Sequence, residues 1–116
     1  MTKSLPDSCK VVVIGGGVAG TSCAYHLAKF GWKDVVLLER DQLTSGTTWH
    51  AAGLVGQLGA SSTITKIRKY SLDLYKELEK TTGLSTGLKQ NGAITVASTK
   101  ERMQELLRQA TTAQLS

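Results

Sequence analysis

Six consecutive residues constrain this chain more than any others: Gly15-Gly16-Gly17-Val18-Ala19-Gly20. They follow Val11-Val12-Val13-Ile14, a β-branched apolar run that suits a short strand covered on both faces of a parallel sheet. They open a predicted helix over 18–30, on which Gly20, Ala24 and Leu27 share one face and which Gly31 ends at a C′ position. Val35-Val36-Leu37-Leu38 then reads as a second buried strand, closing on Glu39. Strand, glycine turn, helix, strand and acid in this order are the context that gives a G-x-G-x-x-G spacing its meaning.

Each glycine of the spacing has a physical task. Gly15 permits the sharp turn off the strand, Gly17 keeps a side chain away from an approaching pyrophosphate, and Gly20 lets the helix lie close on the sheet. The free N–H groups of the first helical turn, around Val18 and Ala19, then face the phosphates, and the helix dipole adds roughly half a positive charge there. Glu39 stands 19 residues after Gly20, where a carboxylate accepts hydrogen bonds from an adenosine ribose diol and repels a 2′-phosphate. The segment 10–40 is therefore a βαβ dinucleotide-binding unit of an α/β, Rossmann-like fold, with NADP disfavoured. By itself it does not separate FAD from NAD.

Composition narrows the class. At 116 residues the chain is about one domain. Its 14 Lys and Arg exceed its 9 Asp and Glu, but the charges are interleaved, as on ordinary solvated faces, so no nucleic-acid partner is implied. A 41% hydrophobic content with a single Pro excludes a disordered or collagen-like chain. Cys9 and Cys23 have neither a disulfide framework nor a metal-ligand spacing and read as free thiols in a reducing compartment. The longest apolar runs fall far short of the ~20 residues of a membrane span. The first residues resemble neither a signal nor a transit peptide, which points to a cytoplasmic protein or a matured one of the mitochondrial matrix.

Residues 41–62 are rich in Gly, Ser, Thr and Ala without a sustained period, a loop with at most one helical turn and long enough to suggest a function. A helix is predicted over 63–82, striped by Ile64, Ile67, Ser71, Leu74 and Leu78, capped by Ser61 or Ser62 and stopped by Gly83. Gly87 to Ala97 reads as a β-hairpin around Asn91-Gly92. Ser98-Thr99-Lys100-Glu101 has capping-box spacing and opens a last helix with Met103, Leu106, Leu107 and Ala110 on one face. His26 lies off the apolar face of the first helix and is expected to be exposed and inert. Lys66, Arg68 and Lys69 are expected to form a solvated helix face.

Several of these segments resemble one family. Val11-Val12-Val13-Ile14-Gly15-Gly16-Gly17, Leu27-Ala28-Lys29, Val35-Val36-Leu37-Leu38-Glu39-Arg40 and above all Leu43-Thr44-Ser45-Gly46-Thr47-Thr48-Trp49-His50-Ala51-Ala52-Gly53-Leu54 are similar to the FAD-dependent N-methylglycine oxidoreductases, among them sarcosine dehydrogenase and dimethylglycine dehydrogenase. Gly83-Leu84 and Gln90-Asn91-Gly92 fit as well, so the likeness runs from about Lys10 to Arg108. It implies an FAD-binding fold of the glucose-oxidase and D-amino-acid-oxidase type, here incomplete, followed by the hairpin and two further helices (63–116). It implies FAD as cofactor, bonded through the His50 ring to the flavin 8α-methyl group. Along the flavin-contacting loop, the hydroxyls of Ser45, Thr47 and Thr48 and the neighbouring amides, Gly46 among them, are candidates for the pyrophosphate or ribityl chain. Ala51, Ala52 and Gly53 are small enough for backbone to pass close to the flavin ring, with Leu54 ending the run. Trp49 reads as an apolar anchor for the loop, and Arg40 as flanking the adenosine or as a solvated arginine.

The implied reaction is oxidative N-demethylation of a small N-methylglycine substrate by hydride transfer to the flavin, with the electron acceptor unspecified. Full chains of the family are several times longer, and tetrahydrofolate would enter only through their C-terminal region. The chain is therefore expected to be an N-terminal fragment, a truncated product or a short isoform, with one edge of the first strand open. Alone, it should be poorly soluble or bind flavin substoichiometrically. Two other readings compete: a non-catalytic relative such as the regulatory subunit of pyruvate dehydrogenase phosphatase, against which His50 argues, and an NAD-binding module or another FAD-dependent amine oxidase.

Overall fold

The computed structural model describes residues 5–115, which fall into two units, one ending at Gly53 and one beginning at Leu54. In the first, strand β1 (Val11–Ile14), helix α1 (Val18–Lys29) and strand β2 (Val35–Leu38) follow one another as the sequence predicts. The strands are parallel and paired Val11↔Val35, Val12↔Val36, Val13↔Leu37 and Ile14↔Leu38. The Gly15 N–H donates to Leu38 O at 2.8 Å, carrying the ladder into the glycine turn. Helix α1 packs on both strands. It ends in a Schellman arrangement: Gly31, at φ +89°, donates to Ala28 O and Trp32 to Leu27 O.

The expectation that both strands are covered on two faces is not met. Side chains alternate across a strand, so Val13, 3.5 Å from where a Cβ on Gly20 would stand, faces α1, while Val12 and Ile14 face the other way. With a single helix on one side of two strands, no element of this unit among the described residues covers the second face, and Ile14 is 85% exposed. Among the described residues no hydrophobic side chain is fully buried. His26 is also corrected, from exposed to half-buried: its Nδ1 lies 2.7 Å from Ser22 O and its ring meets Tyr25 edge to face.

In the second unit, helix α2 (Ser62–Thr82) is capped by the Ser61 hydroxyl, which accepts from Ile64 N at 3.4 Å, and closed by Gly83 in the left-handed region. Its first two turns tie down the preceding segment. Thr65, the buried polar residue of the described chain, accepts from Gly59 N at 3.0 Å, and Arg68 donates to Leu58 O at 2.6 Å. Its last turn holds the following segment through Glu79, whose carboxylate accepts from the Thr86 hydroxyl and amide, each at 2.7 Å, and lies below the usual carboxylate range for that reason. Helix α3 (Lys100–Gln114) begins one residue later than the capping-box spacing suggests. Thr99, not Ser98, is the cap and accepts from Arg102 N at 3.2 Å, and Glu101 turns back to its own amide and the Thr99 hydroxyl. Glu105 receives both Nε and Nη2 of Arg108 and the Gln109 amide, which together bring its pKa down to about 2. No helix of the described residues is long and apolar enough to cross a membrane.

The predicted hairpin over 87–97 is absent: no strand is formed there among the described residues. The backbone gives the reason. Tight type I′ hairpins need positive φ at both central residues. Gly92 has φ +76°, but Asn91 does not enter the positive region. Without the primed turn the flanking segments are not brought into register, and Ile94 is 95% exposed.

Candidate functional site

The first unit folds its loop back onto the glycine turn. Residues 42–51 form successive tight turns, with Ser45 N donating to Gln42 O, Trp49 N to Gly46 O, His50 N to Thr47 O and Ala51 N to Thr48 O, rather than a regular helix. The first of these turns is anchored by Thr44 N donating to Gly16 O at 3.0 Å, and Thr44 pays for that position with φ +68°, rare for a β-branched residue.

Glu39 and Thr48 close the turn from two sides. One Glu39 oxygen accepts from Gly16 N at 2.6 Å and the other from Asp41 N at 3.1 Å. These two amides, the Gly16 one first, hold the Glu39 carboxyl below its ordinary value of 4.5, with its own neighbour Arg40 adding to the effect. The sign of the pH dependence follows. A depressed carboxylate contributes fully above the ordinary value and loses its contribution as pH falls through the lowered one. A carboxyl-carbon NMR titration should therefore find Glu39 ionised where exposed carboxylates are already protonating, with the Gly16 amide resonance moving in the same step.

Thr48 solves a problem of helix α1. Its N-cap is Gly17, which has no side chain to accept from the first turn. The Thr48 hydroxyl oxygen, 30 residues on, accepts from Val18 N at 2.9 Å. The Val18 amide is thus not open as the sequence suggests. The amides of Ala19 and Gly20 remain the first-turn donors without an intrahelical acceptor. The glycines are required by close approach. A Cβ on Gly20 would stand 1.8 Å from Gly15 O, and one on Gly17 would stand 2.9 Å from the Thr48 oxygen.

Other expected residues are placed without being drawn into this cluster. Arg40, Ser45, Thr47, Ala51, Ala52 and Gly53 are exposed on the same unit, and Leu54 opens the second. Trp49 is 79% exposed, so it does not anchor the loop within the described residues. His50 is exposed, with Nδ1 2.9 Å from Gly46 O. A carbonyl only accepts, so Nδ1 carries the hydrogen of that contact. Four contributors escape the sequence reading: Gly16, whose buried amide is Glu39's partner; Asp41, whose amide bonds the other Glu39 oxygen; Thr44, whose amide donates to Gly16 O; and Leu43, whose Cδ2 lies 2.5 Å from where a Cβ on Gly16 would be. The third glycine of the run, unneeded by the spacing itself, was the available signal for that close contact.

The sequence profile of the FAD-dependent oxidoreductases matches residues 10–115. The chain belongs to that family. Among its curated relatives, 4-methylaminobutanoate oxidase (formaldehyde-forming) of Paenarthrobacter nicotinovorans is 48% identical over 103 residues, covering 89% of this chain. Mitochondrial dimethylglycine dehydrogenase of Rattus norvegicus is 49% identical over 105 residues (90% of this chain), and mitochondrial sarcosine dehydrogenase of Homo sapiens is 47% identical over 108 (92%). The mitochondrial regulatory subunit of pyruvate dehydrogenase phosphatase of Mus musculus stands at 45% over 105 residues (90%). The chain spans 12% of the length of each of these relatives. The resemblance to the sarcosine and dimethylglycine enzymes is thus borne out.

The donor set suits the family's FAD. Each Glu39 oxygen has a lone pair beyond the one given to an amide, enough for a ribose diol, and the Ala19 and Gly20 amides offer hydrogens to an anion at the positive end of α1. Thr48 receives the Val18 hydrogen on its oxygen and still has its own hydroxyl hydrogen to donate to a phosphate.

Proposed function

We propose that this chain is the nucleotide-holding N-terminal part of an FAD-dependent enzyme that oxidises the N-methyl group of a small amine such as sarcosine or dimethylglycine. The observation that carries the reading is the closure of the Gly15–Gly20 turn by Glu39 and Thr48, set directly before the loop that carries His50. When bound, FAD supplies the hydride acceptor. Glu39 would hold the adenosine ribose, the Ala19 and Gly20 amides with the Thr48 hydroxyl would hold the diphosphate, and Ser45, Thr47 and the small residues 51–53 would serve the rest of the cofactor. His50 is the point of covalent attachment, through Nε2, because its Nδ1 hydrogen is committed to Gly46 O. The relatives named for the mitochondrion support a mitochondrial location, and those named for dimethylglycine, sarcosine and 4-methylaminobutanoate support an N-methylated amino acid as substrate.

The test is acid precipitation of the protein that contains this chain, followed by flavin fluorescence of the washed pellet. Wild type should retain flavin, and His50→Ala should release all of it to the supernatant while still binding FAD reversibly. Anaerobic dimethylglycine or sarcosine should bleach the flavin of wild type. Free flavin in the wild-type supernatant would remove the covalent role. Absence of bleaching by any N-methylated amine would favour the second reading, a regulatory subunit, which the 45% identity to the mouse phosphatase subunit supports.

A further inference from the structure

We propose that Asn91 is a site of spontaneous deamidation, a modification independent of the flavin reading. It is the chain's sole asparagine, and it is followed by glycine. Both residues are exposed and lie in a segment without strand or helix. The Gly92 N–H donates to no acceptor among the described residues, whereas further up the connection Thr86 N, Gly87 N and Leu88 N are tied to side chains. Gly92 has no Cβ to shield its nitrogen, and at φ +76° it adopts a conformation open mainly to glycine.

The chemistry needs only water and base. The Gly92 amide nitrogen gives up its proton and attacks Cγ of Asn91. The Cγ–Nδ2 bond breaks, and nitrogen leaves as ammonia with that proton, closing a five-membered succinimide. Water then adds to one of the two imide carbonyls. Opening at one gives aspartate, and opening at the other gives isoaspartate, in which the main chain runs through Cβ. Either product carries one new negative charge, and nothing is oxidised or reduced.

The segment's geometry fixes the rate to expect. A hydrogen-bonded hairpin would fix the Asn91 and Gly92 backbone dihedrals and resist the cyclisation, while a segment without a ladder leaves them as free to rotate as in a short peptide. The experiment incubates the 116-residue chain and the synthetic peptide 90–100 at pH 8 and 37 °C. Deamidation is read from the tryptic peptide of the same span by its mass and by isoaspartate-specific methylation. The rates should agree within about fivefold, should fall together at pH 6, and should lose the isoaspartate signal in Asn91→Gln. In Gly92→Ala the rate should drop by about tenfold, since any Cβ hinders both the approach and the required backbone rotation. A rate in the chain many times below that of the peptide, or an isoaspartate signal that survives Asn91→Gln, would overturn the proposal.

Discussion

Gly20→Ala should unseat helix α1 from strand β1. The added Cβ would lie 1.8 Å from Gly15 O and 3.0 Å from Gly15 C, and both are backbone atoms at the turn that the strand ladder already fixes through Gly15 N. No rotamer relieves such a contact, so the helix must slide or the turn must open. Overpacking of a tight contact typically costs ~1–3 kcal/mol, and backbone on both sides puts this case at the upper end. The first unit has little to set against that, because none of its described apolar side chains is fully buried. The expected result is loss of dispersed amide resonances for residues 11–38 and loss of FAD binding together. Gly46→Ala is the control: a Cβ there meets nothing within 4 Å, and its spectrum should match wild type. A well-dispersed Gly20→Ala spectrum would show that α1 does not sit this close to the turn.

Glu39→Ala should weaken FAD binding by about 10- to 100-fold, the range for losing hydrogen bonds to a charged group. Two effects act in the same direction. The ribose diol loses its acceptor, and the buried Gly16 amide loses the carboxylate oxygen at 2.6 Å that keeps the turn closed. Glu39→Gln separates them: its side-chain oxygen can still accept from Gly16 but without the charge, so it should fall between wild type and alanine. Titration of FAD against the three proteins, each carrying His50→Ala so that binding is reversible, by flavin fluorescence quenching gives the order. Equal affinities would mean that FAD binding depends on neither the ribose contact nor the Gly16 bond.

Much of the helix capping was legible because its signals are local. Ser61 reaches the amide of Ile64 three residues away, Gly83 accepts the left-handed conformation that ends α2, and Gly31 does the same for α1. Bonds of this kind form wherever the right residue stands at the right offset. The capping box at α3 shows the limit of the rule. Ser98 and Thr99 both carry a hydroxyl, and the spacing to Glu101 favours the first, yet Thr99 is the cap. The hairpin failed for a related reason. Asn-Gly permits the primed turn without compelling it, and with Asn91 outside the positive-φ region the two flanks have no ladder to hold them.

The sequence by itself determined the order of strand, turn, helix and strand, the helix ends, and the glycines that allow the turn, since these follow from backbone sterics and contacts within a few residues. Which atoms complete the site was decided by the tertiary structure. The fingerprint cannot say that Thr48, 30 residues downstream, satisfies the Val18 amide, that Glu39 spends its first bond on Gly16, or that Ile14 stands uncovered. An amide takes whichever oxygen the fold brings near it, and an apolar face is buried only where another element lies over it.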